Sequence, residues 1–121
     1  DELEKLNKNK NIEIINKGLD TKIVSIENLN KAKEYKSEKK IWMIKIGSYL
    51  KKVNAENQMQ DLIEKKHQSF ILKSDKDNRI LYSVNIGPFF SIKEVKNNYV
   101  KLIKNKKYSN SYIVESALKD K

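Results

Sequence analysis

The chain of 121 residues has room for one small domain and an appendage, and with 38% apolar against 35% charged residues its core must be modest. It has no cysteine and one histidine, His67, which excludes disulfides, thiolate nucleophiles, thiolate metal sites and any cage or triad that needs a second imidazole. Its net charge of +10 is uneven, ten Lys against eight acids in residues 1–40 and sixteen Lys and Arg against eight acids in residues 41–121, a field that favours polyanions such as nucleic acid, anionic lipid or an acidic wall polymer.

Taken in chain order, residues 1–40 read as a linker or a partly ordered N-terminal extension. Ile12-Glu13-Ile14-Ile15 and Ile23-Val24-Ser25-Ile26 flank Asn16-Lys17-Gly18-Leu19-Asp20 as the arms of a hairpin would, and residues 27–40 are charged and helix-friendly. A flexible tether is the other reading of this segment. Beyond it the spacing predicts a strand over 41–47, a helix over 54–66 with Asn54 as N-cap, and a strand over 69–74. Ser74-Asp75-Lys76-Asp77-Asn78 is turn chemistry that joins this strand to the next, over 79–86, as a hairpin. A second helix over 91–104 opens with a capping box, Ser91-Ile92-Lys93-Glu94, and a last strand over 111–116 leaves 117–121 as a tail.

A repeat with a period of 40 residues organises this order. Ile44-Lys45-Ile46-Gly47-Ser48-Tyr49-Leu50 recurs as Val84-Asn85-Ile86-Gly87-Pro88-Phe89-Phe90. Behind each copy the apolar residues fall at i, i+4, i+7 and i+8: Ala55, Met59, Leu62 and Ile63, then Val95, Tyr99, Leu102 and Ile103. That spacing gives each helix one apolar face, and the Gly that closes each strand suits a sharp exit or a left-handed backbone position. The expected fold is α+β, a βαββαβ ferredoxin-like or RNP-like domain over 41–116, with a four-stranded antiparallel sheet and two helices on one face.

The residues that fill this frame resemble the SPOR (sporulation-related repeat) family. That family's first strand reads aromatic-x-Val-Gln-x-Gly-Ser-Phe, and Trp42-Met43-Ile44-Lys45-Ile46-Gly47-Ser48-Tyr49 is similar to it. An Asn-Ala pair opens the family's first helix, as Asn54-Ala55 does here, and its third strand, Tyr-Arg-Val-x-x-Gly-Pro-Phe, is matched by Tyr82-Ser83-Val84-Asn85-Ile86-Gly87-Pro88-Phe89. The resemblance implies binding of peptidoglycan glycan strands stripped of their stem peptides, as found at division septa, by an envelope protein. It implies no catalysis and no cofactor. It further implies a place on the periplasmic face of the inner membrane through an anchor upstream of Asp1, with division proteins as further partners. Position for position, the family's first-strand Gln becomes Lys45, its Ser stays as Ser48, the third-strand aromatic of some members becomes Leu81, and the third-strand Arg becomes Ser83.

Alternation sorts the same strands without reference to any family. With Ile44, Ile46, Tyr82, Val84 and Ile86 turned to the helices, the open face is expected to carry Met43, Lys45, Phe70, Leu72, Leu81, Ser83 and Asn85, with Tyr112 or Ile113 from the last strand. Apolar patches rimmed by polar groups suit sugar rings, and Lys45 suits the lactyl carboxylate of muramic acid. Phe70 and Leu72 alternatively pack against residues 1–40, and Ser48 is alternatively a turn hydroxyl. Trp42 reads as core, His67 as a partner of the carbonyls ending the first helix, and Asp75 and Asp77 as hairpin residues, since the Gly and distal Glu of a calcium loop are missing. Glu56, Asp61 and Glu64 read as solvated charge, so neither a glycosidase pair nor a metal site is expected.

The runner-up is a cytoplasmic nucleic-acid-binding module, because the same βαββαβ frame stacks bases on its central strands. The excess of lysine and Phe70 favour it, whereas the absence of a Lys/Arg-Gly-aromatic segment and the Pro88 that follows Gly87 oppose it. A protein–protein module is the third class. An AT-rich coding bias would give the same abundance of Lys, Asn and Ile, so solvated surface is the plain alternative to a specific basic face.

Overall fold

The duplicated strand-and-helix pattern folds as its periodicity requires, in a computed structural model that describes residues 13–15, 19–31 and 40–118. The elements are strand β1 (Glu13–Ile15), β2 (Leu19–Val24), helix α1 (Ile26–Lys31), β3 (Lys40–Tyr49), helix α2 (Lys52–Glu64), β4 (Ser69–Lys76), β5 (Arg79–Phe89), helix α3 (Ile92–Leu102), a 3-10 turn (Lys106–Tyr108) and β6 (Tyr112–Leu118). From β3 onward this is the α+β, ferredoxin-like order βαββαβ, with strands added to the expected four. Both Gly-marked strands run two residues past their glycines, to Tyr49 and Phe89. The chain divides into two units, residues 1–17 with 45–87 and residues 18–44 with 88–121.

In the first unit the strand order is β1-β4-β5-β3. β4 and β5 form the expected hairpin, with Lys76 opposite Arg79. Its two central residues, Asp77 and Asn78, have φ of 53° and 62°, and two left-handed residues in a two-residue loop match the twist of paired strands. Helix α2 packs on β4 and buries Ala55, Met59 and Leu62, its apolar stripe. The helix starts earlier than Asn54 suggests: Lys51 is the N-cap, without a side-chain bond, and Asn54 donates its backbone N–H to the Lys51 carbonyl at 3.2 Å. The chain bends at Leu50 directly after β3, so helical backbone begins at Lys52 and Asn54 is already in the first turn.

The end of α2 is a Schellman motif. The N–H of Lys66 donates to the Ile63 carbonyl at 2.9 Å and that of His67 to the Leu62 carbonyl at 3.0 Å. The tie from His67 to these carbonyls is made by its backbone N–H, whereas the expectation concerned its imidazole. Lys66 carries φ of 70° at the position where glycine is usual. Left-handed backbone costs an L-residue about 1–2 kcal/mol, and glycine's extra unfolded-state freedom returns about 0.4–1 of that. Lys66→Gly is therefore expected to stabilise the chain by roughly 0.5–1 kcal/mol in urea melts.

Burial, aided by the Lys65 charge, holds the His67 imidazole below its ordinary pKa. The unfolded chain then binds the proton more readily than the folded one. Stability from this group is complete above the unfolded value near 6.5 and declines as pH falls through the folded value. His67→Gln is expected to flatten part of the loss of urea midpoint between pH 7.5 and 5; an unchanged slope would assign that loss to other groups.

In the second unit the strand order is β3-β6-β2. Helix α3 packs on β6, and α1 packs against α3. One half of the expected capping box is present, the Ser91 hydroxyl accepting from the Glu94 N–H at 3.1 Å, and Val95 and Leu102 are buried beneath the helix. Trp42 is a core residue whose Nε1–H donates to Glu115 Oε2 at 3.3 Å.

The hairpin expected within residues 12–26 does not form. β1 instead runs parallel to β4, with Ile14 opposite Leu72, and β2 runs antiparallel to β6 from Leu19 opposite Leu118 to Val24 opposite Ile113. An isolated two-stranded ribbon is marginal in water, while the edges of β4 and β6 offer unpaired backbone on strands already anchored by a core. Of the helix expected over 27–40, residues 27–31 lie in α1, and residues 32–39 lie outside the described residues.

Candidate functional site

Cross-strand register decides which candidate side chains share a face. In the first unit Phe70 stands opposite Asn85, Leu72 opposite Ser83, and Ser74 opposite Leu81. Directly opposed residues point the same way, so Phe70, Leu72, Leu81, Ser83 and Asn85 lie together on one face of the β4–β5 hairpin. The other face carries Ile71, Val84 and Ile86, an apolar set that complements the stripe of α2. For these five residues of the hairpin the grouping expected from alternation is correct.

Its accessibility is not. Phe70 is 2% exposed, Leu72 7%, Ser83 7% and Asn85 1%, and in the second unit Met43 is 1% exposed. Five residues expected on an open, solvent-facing sheet are therefore buried. Lys45, Leu81 and Tyr112 are half-buried, and Ser48 alone of the nine is exposed. Packing of Phe70 and Leu72 against residues 1–40, the alternative reading, involves side chains outside the described residues. Alternation reports the direction of a side chain and is silent on what lies above it.

Burial has chemical consequences for the two polar candidates. Asn85 Nδ2 donates to the Ser83 carbonyl at 3.2 Å and to Ser83 Oγ at 3.3 Å. Ser83 Oγ donates in turn across the hairpin to the Leu72 carbonyl at 3.1 Å. From the opposite face, Ser69 Oγ donates to the Asn85 carbonyl at 3.0 Å. Buried polar groups need such partners, and these hydroxyl and amide groups meet that need within the protein. The hydroxyls of Ser83 and Ser69 tie β4 to β5, and the Asn85 amide braces Ser83 within β5.

At the other end of the unit, Tyr49 fixes how β3 leaves the sheet. Its hydroxyl donates to Gln58 Oε1 in α2 at 3.0 Å. Its ring lies 3.5–3.7 Å from where a Cβ on Gly47 would stand. Tyr49 is thus turned toward α2, and the intervening Ser48 is exposed. This clamp was legible only in part: the Gly-x-Tyr spacing puts ring and glycine on one side, but the partner in α2 is nine residues on.

Among the described residues no group of three or more His, Cys, Asp or Glu could hold a metal ion, and no helix is long and apolar enough to cross a membrane. The family model of the SPOR domain matches residues 38–115 of the chain. No curated protein and no solved structure matches it.

Proposed function

Since the chain belongs to the SPOR domain family, whose members are peptidoglycan-binding, division-associated modules, we propose that it binds the glycan strands of peptidoglycan and holds an envelope protein at the division septum. The family match over residues 38–115 carries this reading. Septal wall, where stem peptides have been removed, offers the bare glycan that such a module takes, and a periplasmic place follows from that ligand.

The accessible candidates in the first unit are the proposed contacts. Ser48 supplies a hydroxyl from the exposed end of β3, Leu81 a half-buried apolar surface for the C–H face of a sugar, and Lys45 an ammonium for a muramic acid carboxylate. Phe70, Leu72, Ser83 and Asn85 act as the packed backing of the β4–β5 hairpin, while Met43, buried, and Tyr112, half-buried, belong to the second unit. With Lys where the family has Gln, the charge of the glycan weighs more in recognition than its amide and hydroxyl pattern.

A charge-assisted hydrogen bond contributes about 1.5–3 kcal/mol, or roughly ten- to a hundredfold in affinity. Lys45→Ala is expected to weaken co-sedimentation with amidase-treated sacculi by at least about tenfold at low salt, and by less at high salt, where the parent's own contact is screened. If the variant binds like the parent, Lys45 is a solvated strand residue and the proposed contact set is wrong.

A further inference from the structure

We propose that the outer face of α3, together with the lysine turn that follows it, is a docking surface for an anionic phospholipid bilayer. Helical spacing places Lys93, Asn97 and Val100 on one stripe of α3, at i, i+4 and i+7, and Lys104 extends it in the turn two residues past the end of the helix. Val95 and Leu102 are buried on the opposite side of the helix. All four stripe residues are exposed, although α1 packs against α3. Residues 95–114 hold five lysines and no acidic residue, and although exposed Glu94 adjoins Lys93 the charge along this stripe is predominantly positive.

The turn beyond the helix is built rather than loose. Asn105 Oδ1 accepts from the Lys107 N–H at 3.0 Å, the Tyr108 N–H donates to the Asn105 carbonyl at 2.9 Å, and Tyr108 is 3% exposed. Exposed Lys101, Lys104 and Lys106 are thereby carried on fixed backbone. Lysines near the end of a helix are commonly explained by its dipole, but Lys93 sits in the first turn, where the dipole opposes a cation. The dipole therefore does not account for Lys93, and an anionic surface against the stripe would supply its counter-charge.

Apolar exposure selects a bilayer over a soluble polyanion. Val100 is 44% exposed within the stripe, and Phe90, immediately before the N-cap Ser91, is 60% exposed. A polyphosphate backbone offers such side chains nothing, and a base that stacked on Phe90 would find no ring at Val100. The boundary between headgroups and acyl chains takes them up, while lysine stems reach back to the phosphates.

The test is flotation of the full chain with vesicles of phosphatidylcholine alone and with vesicles containing phosphatidylglycerol. Each lysine near an anionic surface contributes about fivefold to partitioning. The triple variant Lys93→Ala/Lys101→Ala/Lys104→Ala is therefore expected to lose about 100-fold on phosphatidylglycerol vesicles, and Phe90→Ser a smaller factor that salt does not change. Circular dichroism melts confirm that these surface variants fold, and sacculus binding is expected to be unaltered by them, which separates this proposal from the glycan reading. Equal partitioning into both vesicle types would overturn it, as would retention of binding by the triple variant. Binding of a single-stranded oligonucleotide as tight as binding to vesicles at the same salt would also overturn it, in favour of a non-specific polyanion surface.

Discussion

Leu62→Ala is expected to destabilise the chain by about 2–5 kcal/mol, the largest loss of any single substitution considered. Leu62 is fully buried, on the stripe with Ala55 and Met59 by which α2 packs on β4. Truncation removes the transfer free energy of three carbons and leaves a cavity, because helix and strand are close-packed and collapse only in part. A domain of this size commands only about 5–15 kcal/mol in total, so the variant should unfold at much lower urea while keeping its m-value. The comparison is Asn57→Ala, an exposed residue of the same helix, which should change the midpoint little. A Leu62→Ala loss below about 1 kcal/mol would mean that α2 is not packed on the sheet as described.

The second large effect separates two glycines that the repeat makes equivalent. Gly87→Ala is expected to cost about 1–3 kcal/mol, and Gly47→Ala well under about 1 kcal/mol. Gly87 has φ of 139°, a region that only glycine enters without strain, and its N–H donates to the Gln68 carbonyl at 2.8 Å, which holds it there. Gly47 has no such constraint. A Cβ there would meet the Tyr49 ring at 3.5 Å or more, an ordinary van der Waals contact. Thermal melts of the two alanine variants decide the matter. Equal losses would show that the two halves of the repeat use their glycines in the same way.

That contrast also marks how far the residues alone could be read. The duplicated strand and helix were legible because apolar spacing at i, i+4 and i+7 has one structural solution, and Ala55, Met59, Leu62, Val95 and Leu102 are buried as it demands. Asp77-Asn78 and Ser91-Glu94 were legible because left-handed turns and capping boxes are local chemistry. What escaped was non-local or unsigned. The pairing of β1 with β4 and of β2 with β6 joins segments far apart in the chain, and local pattern favoured a hairpin between the two arms instead. The N-cap at Lys51 has no side-chain bond and so left no trace. Gly47 and Gly87 stand in matched motifs but differ in backbone conformation.

For the candidate site, direction was legible and cover was not. Phe70, Leu72, Ser83 and Asn85 do share a face, as alternation requires, but each is buried, and Ser83 and Asn85 bond within the hairpin. A polar residue at a strand centre has the same spacing whether it faces a ligand or a neighbouring peptide group. Ser48 is the counter-case, an exposed residue whose neighbour Tyr49 is anchored to Gln58.

Glycan recognition is tested most directly by co-sedimenting the full chain with purified sacculi before and after amidase treatment, in moderate salt. Removal of stem peptides is expected to raise the bound fraction several-fold, and soluble stripped glycan to compete it away. Equal, weak sedimentation with both preparations, under conditions where another member of the family discriminates between them, would contradict the claim that this chain reads bare glycan.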